Sequence, residues 1–528
     1  MSIKKNIVSL AIIFLILSLF FRVDFRFKTT VECCSDDYDY FSHAQTIAID
    51  YDFDYSNQLP QTHPYVYKNN FKITPVGYPG AGILSSPFLF LGNFIDKNFS
   101  KSDGSEILNY SLLLYSISPI FYFFIGFKAL VESINLLKIN FNKYKLLTLI
   151  SGSGLSYFAF ERFSMTHVFE FFVVSILIKY CIEFYKNNNK LSSVIIPPII
   201  MLSFLVRMSN LYVFLLPLII KSFVTQRFNS ENKLITRSHF IVSSFITFIF
   251  YTFVSNLIYG KLIINPQEVY GSNISINSLI PSNNSVIDFL LITVKDTLNI
   301  FFGNEFGIAW VSPIIFSGLV LCVYSLKNIK DLGNWLILIC FAQNLFVILI
   351  WRSTGASYGF RYLYSLVPLC IVIFYLKKEI YNNNIFFKYV FYTSVFSNLA
   401  IMFFETTEQT ALSMEEVKNS FGIIRRYSEP HFVTGVLKSL TEFDSYLIII
   451  TTSFVGIMVF KILLLFFDKL SLINFLASLG LPTENTDFLN YLDIINELSN
   501  VKVLLLIAFF LGISFFIVYK IQSEIKNA

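Results

Sequence analysis

Residues 108–127 read LNYSLLLYSISPIFYFFIGF, an apolar run without a charged side chain. An α-helix needs about 20 such residues to cross the hydrocarbon core of a bilayer. The run therefore predicts a membrane-spanning helix. Runs of similar character recur along the whole chain, and we expect each to form a helix. They are 7–21, 146–160, 167–184, 191–206, 211–220, 240–258, 307–326, 335–350, 362–376, 386–404, 446–467 and 501–519.

The composition agrees with these runs. Of the 528 residues, 55% are hydrophobic and 14% are charged, whereas soluble domains carry roughly a quarter of charged residues. We therefore predict an all-α polytopic membrane protein with about 13 transmembrane helices. Pro197, Pro198 and Pro217 are expected to bend or break the helices that contain them.

Lysine and arginine occur in alternate loops between these runs, and such loops are typically cytoplasmic. The basic clusters are Lys4/Lys5, Lys138/Lys143/Lys145, Lys186/Lys190, Lys221/Arg227/Lys233/Arg237, Lys327/Lys330 and Lys377/Lys378/Lys388. One topology with a cytoplasmic N-terminus places all of them on one side. The first run is expected to be retained, because Arg22, Asp24 and Arg26 follow it instead of a small-residue cleavage site.

The other side then carries three long segments, 22–107, 259–306 and 405–445, and shorter turns at 161–166, 207–210 and 352–361. We divide the chain into a membrane module (1–404), an extracytoplasmic loop (405–445) and C-terminal helices (446–528). Residues 468–500 form at most an amphipathic cytoplasmic linker. The six cysteines form no disulfide framework or CxxC zinc pattern, and neither a Walker-type phosphate loop nor a nucleic-acid-binding patch is present.

The first outer segment contains SDDYDYFSHA at 35–44, which is typical of a helix start. Ser35 can cap the helix, and the acids that follow suit the positive end of its dipole. Helical spacing places Asp36, Tyr40 and His43 on one face. A carboxylate here can act as a general base toward a hydroxyl. Capping and the usual acidity of outer loops explain the same residues without catalysis.

A second element of this segment reads TPVGYPG at 74–80 and is followed by an apolar run at 83–94. That run is too short to cross a bilayer. We therefore predict a short re-entrant or interfacial helix.

These stretches resemble the first periplasmic or luminal loop of GT-C glycosyltransferases, the superfamily of protein O-mannosyltransferases and lipid A aminoarabinose transferases. The similar motifs are DDYDY at 36–40, GYP at 77–79 and PF at 87–88. Three later stretches are also similar to the family: ERFSMTH at 161–167, FGNEFG at 302–307 and SYGFRY at 357–362. The resemblance covers roughly the first 370 residues, while the C-terminal third matches no known pattern.

The resemblance implies an inverting transfer of a sugar from a polyprenyl-phosphate carrier to a hydroxyl of a lipid, glycan or protein. A base removes the hydroxyl proton while cationic or N–H groups hold the departing phosphate. Asp36 matches the first acidic position and is the expected base. Asp37 matches the second and is expected to orient the acceptor or tune Asp36, unless the two roles are exchanged.

Arg361 is the favoured ligand of the donor phosphate, with Arg207 second. An arginine at a membrane boundary can also have a purely structural role, in which its side chain extends so that the charged end reaches the membrane–water interface. Further candidates, each equally consistent with a structural role, are Lys72, Arg352, His167 and Arg162. For the acceptor or donor pocket we expect Tyr40, His43, Tyr78 and His167.

This chemistry requires no cofactor. Asp39 with His43, or the acids Asp50, Asp52 and Asp54, would be the candidates for a divalent metal. Two ligands do not make a site, and alternation of aspartate with aromatic residues favours a solvated extended stretch.

The main alternative function is a transporter or flippase for a lipid-linked glycan, which would line a path with charges inside its helices. A polymerase of lipid-linked glycan repeats and an inactive lipid-binding relative are further alternatives. The preferred location is the bacterial inner membrane, with the active site in the periplasm. The sugar, the acceptor and the length of the carrier remain open.

Overall fold

The computed structural model of the protein describes residues 35–59, 66–69, 72–99, 110–160, 162–228, 237–265, 267–270, 286–303, 307–325, 332–351, 359–377, 384–402, 413–419, 422–429 and 454–478, with scattered positions from 437 onward. The run at 7–21 and the candidate Arg352 lie outside these residues, and the run at 501–519 lies only partly within them.

The described part of the chain is mostly helical, which confirms the predicted all-α class. The elements are α1 (Ser35–Gln45), a π-helical turn (Thr46–Asp50), β1 (Val66–Asn69), β2 (Lys72–Pro75), α2 (Pro79–Phe99), α3 (Tyr110–Leu136), α4 (Lys143–Ile150), a second π-helical turn (Ser151–Leu155), α5 (Ser156–Phe160), α6 (His167–Asn187), α7 (Lys190–Val206), a 3-10 turn (Leu211–Phe214), α8 (Leu216–Phe228), α9 (Arg237–Tyr259), α10 (Gln267–Tyr270), α11 (Val286–Phe302), α12 (Ile308–Val311), α13 (Pro313–Ser325), α14 (Leu332–Trp351), a second 3-10 turn (Arg361–Leu366), α15 (Val367–Leu376), α16 (Asn384–Met402), β3 (Ser413–Asn419), β4 (Gly422–Glu429), α17 (Phe454–Phe466) and α18 (Lys469–Ser478).

Two helices of the described residues are long and apolar enough to cross a membrane. They are α3 and the part Ser238–Tyr259 of α9. Several of the other apolar helices are shorter, among them α7, α13 and α16. Large apolar side chains such as Phe245, Phe250 and Phe253 remain exposed along α9. An apolar face of this kind is typical of a helix that contacts lipid or another protein.

The centre of the bundle is α6, which packs against α3, α7, α8 and α15. Its N-terminal two-thirds is almost entirely buried. The contact with α3 is close because Gly126 faces Phe171, where a Cβ atom would lie only 2.6 Å from the Phe171 ring. The Phe123 and Phe171 rings stack at 5.6 Å between centroids. This tight packing fixes the position of the first turn of α6, which carries functional candidates.

The two ends of the central helices differ in charge. At one end, Lys186 Nζ donates to the carbonyl oxygen of Leu136 at 2.5 Å, and Arg227 Nε donates to that of Leu137 at 2.6 Å. These cations satisfy carbonyl groups that the C-terminus of α3 leaves unpaired. The opposite ends of α6 and α7 lie at His167 and Val206. Arg162, which precedes α6, and Arg207, which follows α7, therefore lie at the end away from these basic contacts.

The prolines act differently from one another. Pro197 and Pro198 lie inside α7, which continues through both of them without a break, so the expected interruption there is wrong. Pro217 lies in the first turn of α8, directly after the 3-10 turn. A proline is tolerated at that position because the first N–H groups of a helix have no partner within it.

Two outer segments contain regular structure that was not predicted, and one predicted helix is longer than expected. The predicted outer segment 259–306 includes the helix α11, and the segment 405–445 includes the antiparallel hairpin β3–β4. Lys295 and Asp296 interrupt the apolar run of α11, and for this reason its sequence does not read as a span. The helix predicted around 83–94 extends over all of α2, because the sequence between Gly92 and Phe99 keeps helical spacing.

Candidate functional site

The acidic stretch of the first outer segment forms the helix α1, as predicted. Asp36 and Asp37 lie in its first turn, where negative charge is favourable. Successive residues of a helix point about 100° apart, so the two carboxylates face different surroundings. Asp37 is buried, whereas the side chain of Asp36 is 40% exposed. The tandem acids are therefore not equivalent.

Asp37 forms a buried ion pair with Arg162, which lies in the turn between α5 and α6. Arg162 Nη2 donates to Asp37 Oδ2 at 2.9 Å, and both side chains are almost inaccessible to solvent. A buried pair of this kind is costly to break, because either partner alone would be left as a buried charge. Asp37 thus anchors α1 to the bundle, and Arg162 is its counterion.

Asp36 forms a second ion pair, with Arg361 at the start of the 3-10 turn before α15. Arg361 Nη2 donates to Asp36 Oδ2 at 2.9 Å, and Arg361 Nη1 lies 3.6 Å from Met165 Sδ. The Arg361 side chain is only 9% exposed. The expected base and the favoured phosphate ligand are therefore direct neighbours.

A glycine two residues earlier in the chain positions Arg361. Gly359 has φ +66°, a conformation that side-chain-bearing residues rarely adopt. The Tyr364 hydroxyl occupies the space that a Cβ atom of Gly359 would need. The same hydroxyl lies against Gly154, which also has a positive φ. Tyr364 thus fits between two glycines and fixes the turn that carries Arg361.

Arg207 belongs to a buried network around Glu170 in the first turn of α6. Glu170 Oε1 accepts hydrogen bonds from Arg207 Nη1 and Thr166 Oγ1, both at 2.8 Å. Glu170 Oε2 accepts one from Asn210 Nδ2 at 2.9 Å, and His167 Nδ1 lies 3.2 Å from Oε1. The Glu170 carboxylate is completely buried. Both oxygens of the Glu170 carboxylate are thus hydrogen-bonded, and a buried polar network of this kind rigidifies its surroundings.

The two arginines favoured for phosphate binding share one aromatic ring. The guanidinium carbons of Arg207 and Arg361 lie 4.6 Å and 5.5 Å from the centre of the Tyr362 ring. A ring face attracts cations at such distances. The phenol of Tyr40 from α1 also interacts with both guanidinium groups. We call Asp36, Asp37, Glu170, Arg162, Arg207 and Arg361 the arginine–carboxylate cluster.

The ionisation of Asp36 reflects this environment. Burial by itself would raise the pKa of Asp36, but the guanidinium groups of Arg361, Arg207 and Arg162 together lower it below its ordinary value. Asp36 is therefore charged at neutral pH as long as Arg361 lies beside it. A carboxylate held in this way is a weak base.

Asp39, which the sequence analysis considered only as a metal ligand together with His43, holds the second element of the outer segment in place. Its Oδ2 accepts a hydrogen bond from the N–H of Gly77 at 2.9 Å. Burial raises the pKa of Asp39 to about 8, although this hydrogen bond opposes the rise. Asp39 thus joins α1 to the stretch that contains GYP.

His43 holds the same stretch in place. Its Nε2 lies 2.9 Å from the carbonyl oxygen of Gly77, and its Nδ1 lies 2.8 Å from the Tyr55 hydroxyl. The carbonyl can only accept, so Nε2 carries the proton and Nδ1 accepts from Tyr55. Burial lowers the pKa of His43 to about 4, which favours this neutral form. Both ring nitrogens are occupied by protein groups, which leaves neither for a metal or a substrate.

The remaining sequence candidates lie at different distances from the cluster. Tyr78 is buried in an apolar group that includes Tyr55 and Phe204. Lys72 donates to the carbonyl oxygen of Leu257 near the end of α9 and contacts no member of the cluster. His167, in contrast, belongs to the Glu170 network.

The acids after α1 are engaged locally. Asp50 accepts from the side chains of Asn57 and Gln58, and Asp54 accepts from the N–H of Ser56. In the part of the chain that the structure describes, no three histidine, cysteine or acidic side chains are arranged to hold a metal ion.

Sequence reasoning missed Glu170 and Tyr362 and underrated Arg162. The signal for Glu170 is its isolation, because it is the one acid in the run HVFEFFVVSILI at 167–178. A charge within an apolar helix needs a partner of opposite charge. That requirement points to a basic residue on a neighbouring helix end without identifying it.

Comparison with known proteins adds nothing to the assignment of a function, which therefore rests on the residues described above. No family model, curated protein or solved structure gives a significant match to the chain.

Proposed function

We propose that the protein is a multi-pass membrane glycosyltransferase of the GT-C type. It would move a sugar from a polyprenyl-phosphate carrier to an acceptor hydroxyl, with inversion at the anomeric carbon. The acceptor class comprises membrane lipids, glycans and proteins. Nucleic acid is not a partner in this proposal, and no cofactor is required.

The observation that carries the proposal is the contact between Asp36 and Arg361. The two residues are 325 positions apart in the chain. The sequence nevertheless pointed to Asp36 as the base and to Arg361 as the phosphate ligand of the same reaction. Transfer from a phosphate carrier needs a base at the hydroxyl and a cation at the leaving phosphate, a few ångströms apart. The 40% exposure of Asp36 gives an acceptor access to the base.

The roles follow from the burial of each group. Asp36 would take the proton of the acceptor hydroxyl as its oxygen attacks the sugar. Arg361 would hold the phosphate as it departs. Arg207, whose guanidinium group lies near the same Tyr362 ring, is the second candidate for this role. Asp37 is enclosed by protein and positions α1 through Arg162, so we assign it no direct contact with the acceptor.

The membrane arrangement is part of the proposal. About thirteen spans, a cytoplasmic N-terminus and a periplasmic active site in the bacterial inner membrane account for the sidedness of the basic loops. The separation of the cluster from the lysine and arginine contacts at the end of α3 supports this arrangement.

The first test is binding of the carrier. Wild-type protein in lipid nanodiscs should bind a polyprenyl monophosphate saturably, and Arg361→Ala should weaken this binding at least tenfold. Lys72→Ala is the control, because Lys72 is a basic residue of the first outer segment that lies outside the cluster. A panel of polyprenyl-phosphate sugars then identifies the donor. Absence of saturable binding by folded wild-type protein would refute the transferase proposal.

A transporter or flippase is the second candidate, and Glu170 is the observation that favours it. This carboxylate lies inside the first turn of α6 and is fully buried, as are the ionisable residues that line transport paths. Carrier-dependent sugar transfer in a detergent micelle would exclude transport as the sole activity, because a micelle has no two sides.

A further inference from the structure

The arginines of the cluster already have carboxylate partners, which constrains how an anion can bind. The three ion pairs have N–O distances of 2.8–2.9 Å. Their three positive and three negative charges cancel. An incoming phosphate therefore meets no uncompensated cation among these six side chains. It binds strongly only if one guanidinium leaves its carboxylate.

The three pairs differ in how readily they can open. Asp37 and Glu170 are almost completely buried, and separation from their arginines would leave a buried charge without its counterion. Asp36 is 40% exposed, so water or a polar substrate can replace Arg361 as its partner. The Asp36–Arg361 pair is thus the one that a ligand can open.

We infer that Asp36 and the carrier phosphate compete for Arg361, so that arrival of the phosphate releases the Asp36 carboxylate to act as the base. The inference rests on the proposed function and adds a coupling between its two halves. Without the carrier, Arg361 keeps Asp36 ionised and weakly basic. With the carrier bound, Asp36 has lost a cation and gained an anionic neighbour, and both changes increase its affinity for a proton.

The reaction then conserves the charge of the site. The acceptor oxygen forms a bond to the anomeric carbon, and its proton moves to Asp36. The bond between the anomeric carbon and the phosphate oxygen breaks, and its electron pair stays on the phosphate. The phosphate thereby changes from a singly charged diester to a monoester with a second negative charge. The Asp36 carboxylate becomes neutral in the same step, so Arg361 and the rest of the cluster need no further counterion.

The test measures binding, not catalysis. Competition predicts that Asp36→Asn binds a polyprenyl monophosphate more tightly than wild type, by roughly fivefold to tenfold, because Arg361 has lost its internal counterion. Asp52→Asn removes the same charge from an exposed position of the same outer segment and should leave the affinity unchanged. In the double variant Asp36→Asn/Arg361→Ala the gain should disappear, which would assign it to Arg361.

Each outcome decides between the coupling and the proposed function. The competition is overturned if Asp36→Asn binds the polyprenyl monophosphate only as tightly as wild type, or more weakly, while its unfolding temperature is unchanged. If Asp36→Asn does not fold, Asp36→Ser serves for the same comparison. The competition is also overturned if Asp52→Asn tightens binding as much as Asp36→Asn does. The gain would then come from the loss of any negative charge in this segment. No saturable binding by any folded variant overturns the proposed function, and the coupling with it.

Discussion

Arg162 Nη2 and Asp37 Oδ2 lie 2.9 Å apart, and this buried pair joins α1 to the turn before α6. Arg361 Nη2 and Asp36 Oδ2, on the preceding residue of α1, have the same separation, but the Asp36 side chain is 40% exposed. Two adjacent acids thus have separate tasks. One holds the helix in place, while the other remains available to a substrate.

Arg162→Met is expected to destabilise the protein by about 3–5 kcal/mol, because it leaves the Asp37 carboxylate buried without its counterion. Thermal or denaturant-induced unfolding in nanodiscs measures the loss. Arg361→Met is the control and should cost clearly less, since Asp36 can be hydrated. Addition of Asp37→Asn to Arg162→Met should recover part of the stability. Equal losses for the two arginine variants would contradict the difference in burial.

Asp36→Asn is expected to reduce sugar transfer by about a hundredfold to ten-thousandfold, the usual contribution of a general base. The fold should persist, because the amide keeps the shape of the side chain at a partly exposed position. Transfer is measured as release of polyprenyl phosphate once a donor is known. Asp52→Asn should retain wild-type activity, and a fully active Asp36→Asn would remove Asp36 from the mechanism.

The contribution of His43 to stability should depend on pH. Its pKa is lowered from the ordinary value of 6.5 to about 4, so the unfolded chain binds more protons than the folded one between these values. The contribution of His43 to the free energy of unfolding is therefore complete above pH 6.5 and is lost as the pH falls to 4. This contribution amounts to roughly 3 kcal/mol.

The comparison between wild type and His43→Gln isolates this effect. The stability difference between the two proteins should shrink over the interval from pH 6.5 to 4. Asp39 titrates in the opposite sense, with a pKa near 8, but it is present in both proteins and cancels. A difference that stays constant with pH would show that His43 is not neutral in the folded protein.

Gly359→Ala is expected to destabilise the protein by about 1–3 kcal/mol, since alanine meets both the positive φ and the Tyr364 hydroxyl. The displaced turn also carries Arg361, so carrier binding should weaken. Gly512→Ala provides the control, because nothing lies within 4 Å of the added carbon. Tyr364→Phe should partly restore Gly359→Ala by removal of the hydroxyl. Wild-type stability and binding for Gly359→Ala would argue against this positioning role.

The sequence alone determined the helical class, most helix positions and the helical stretch that contains Asp36 and Asp37. These features depend on the spacing of apolar residues and on local capping, and both can be read within one turn or one span of the chain. It also determined which loops are basic. The helix α11 was missed because Lys295 and Asp296 interrupt an otherwise apolar run.

The tertiary structure decided which charges meet. Asp37 and Arg162 are 125 residues apart, and Asp36 and Arg361 are 325 apart, so no local pattern relates them. It also brought His43 against the carbonyl oxygen of Gly77, 34 residues later in the chain. The reason is physical: the partner of an ionisable group depends on which helix ends come together and on how much water remains there. Those two quantities depend on the packing around α6, which involves the whole bundle at once.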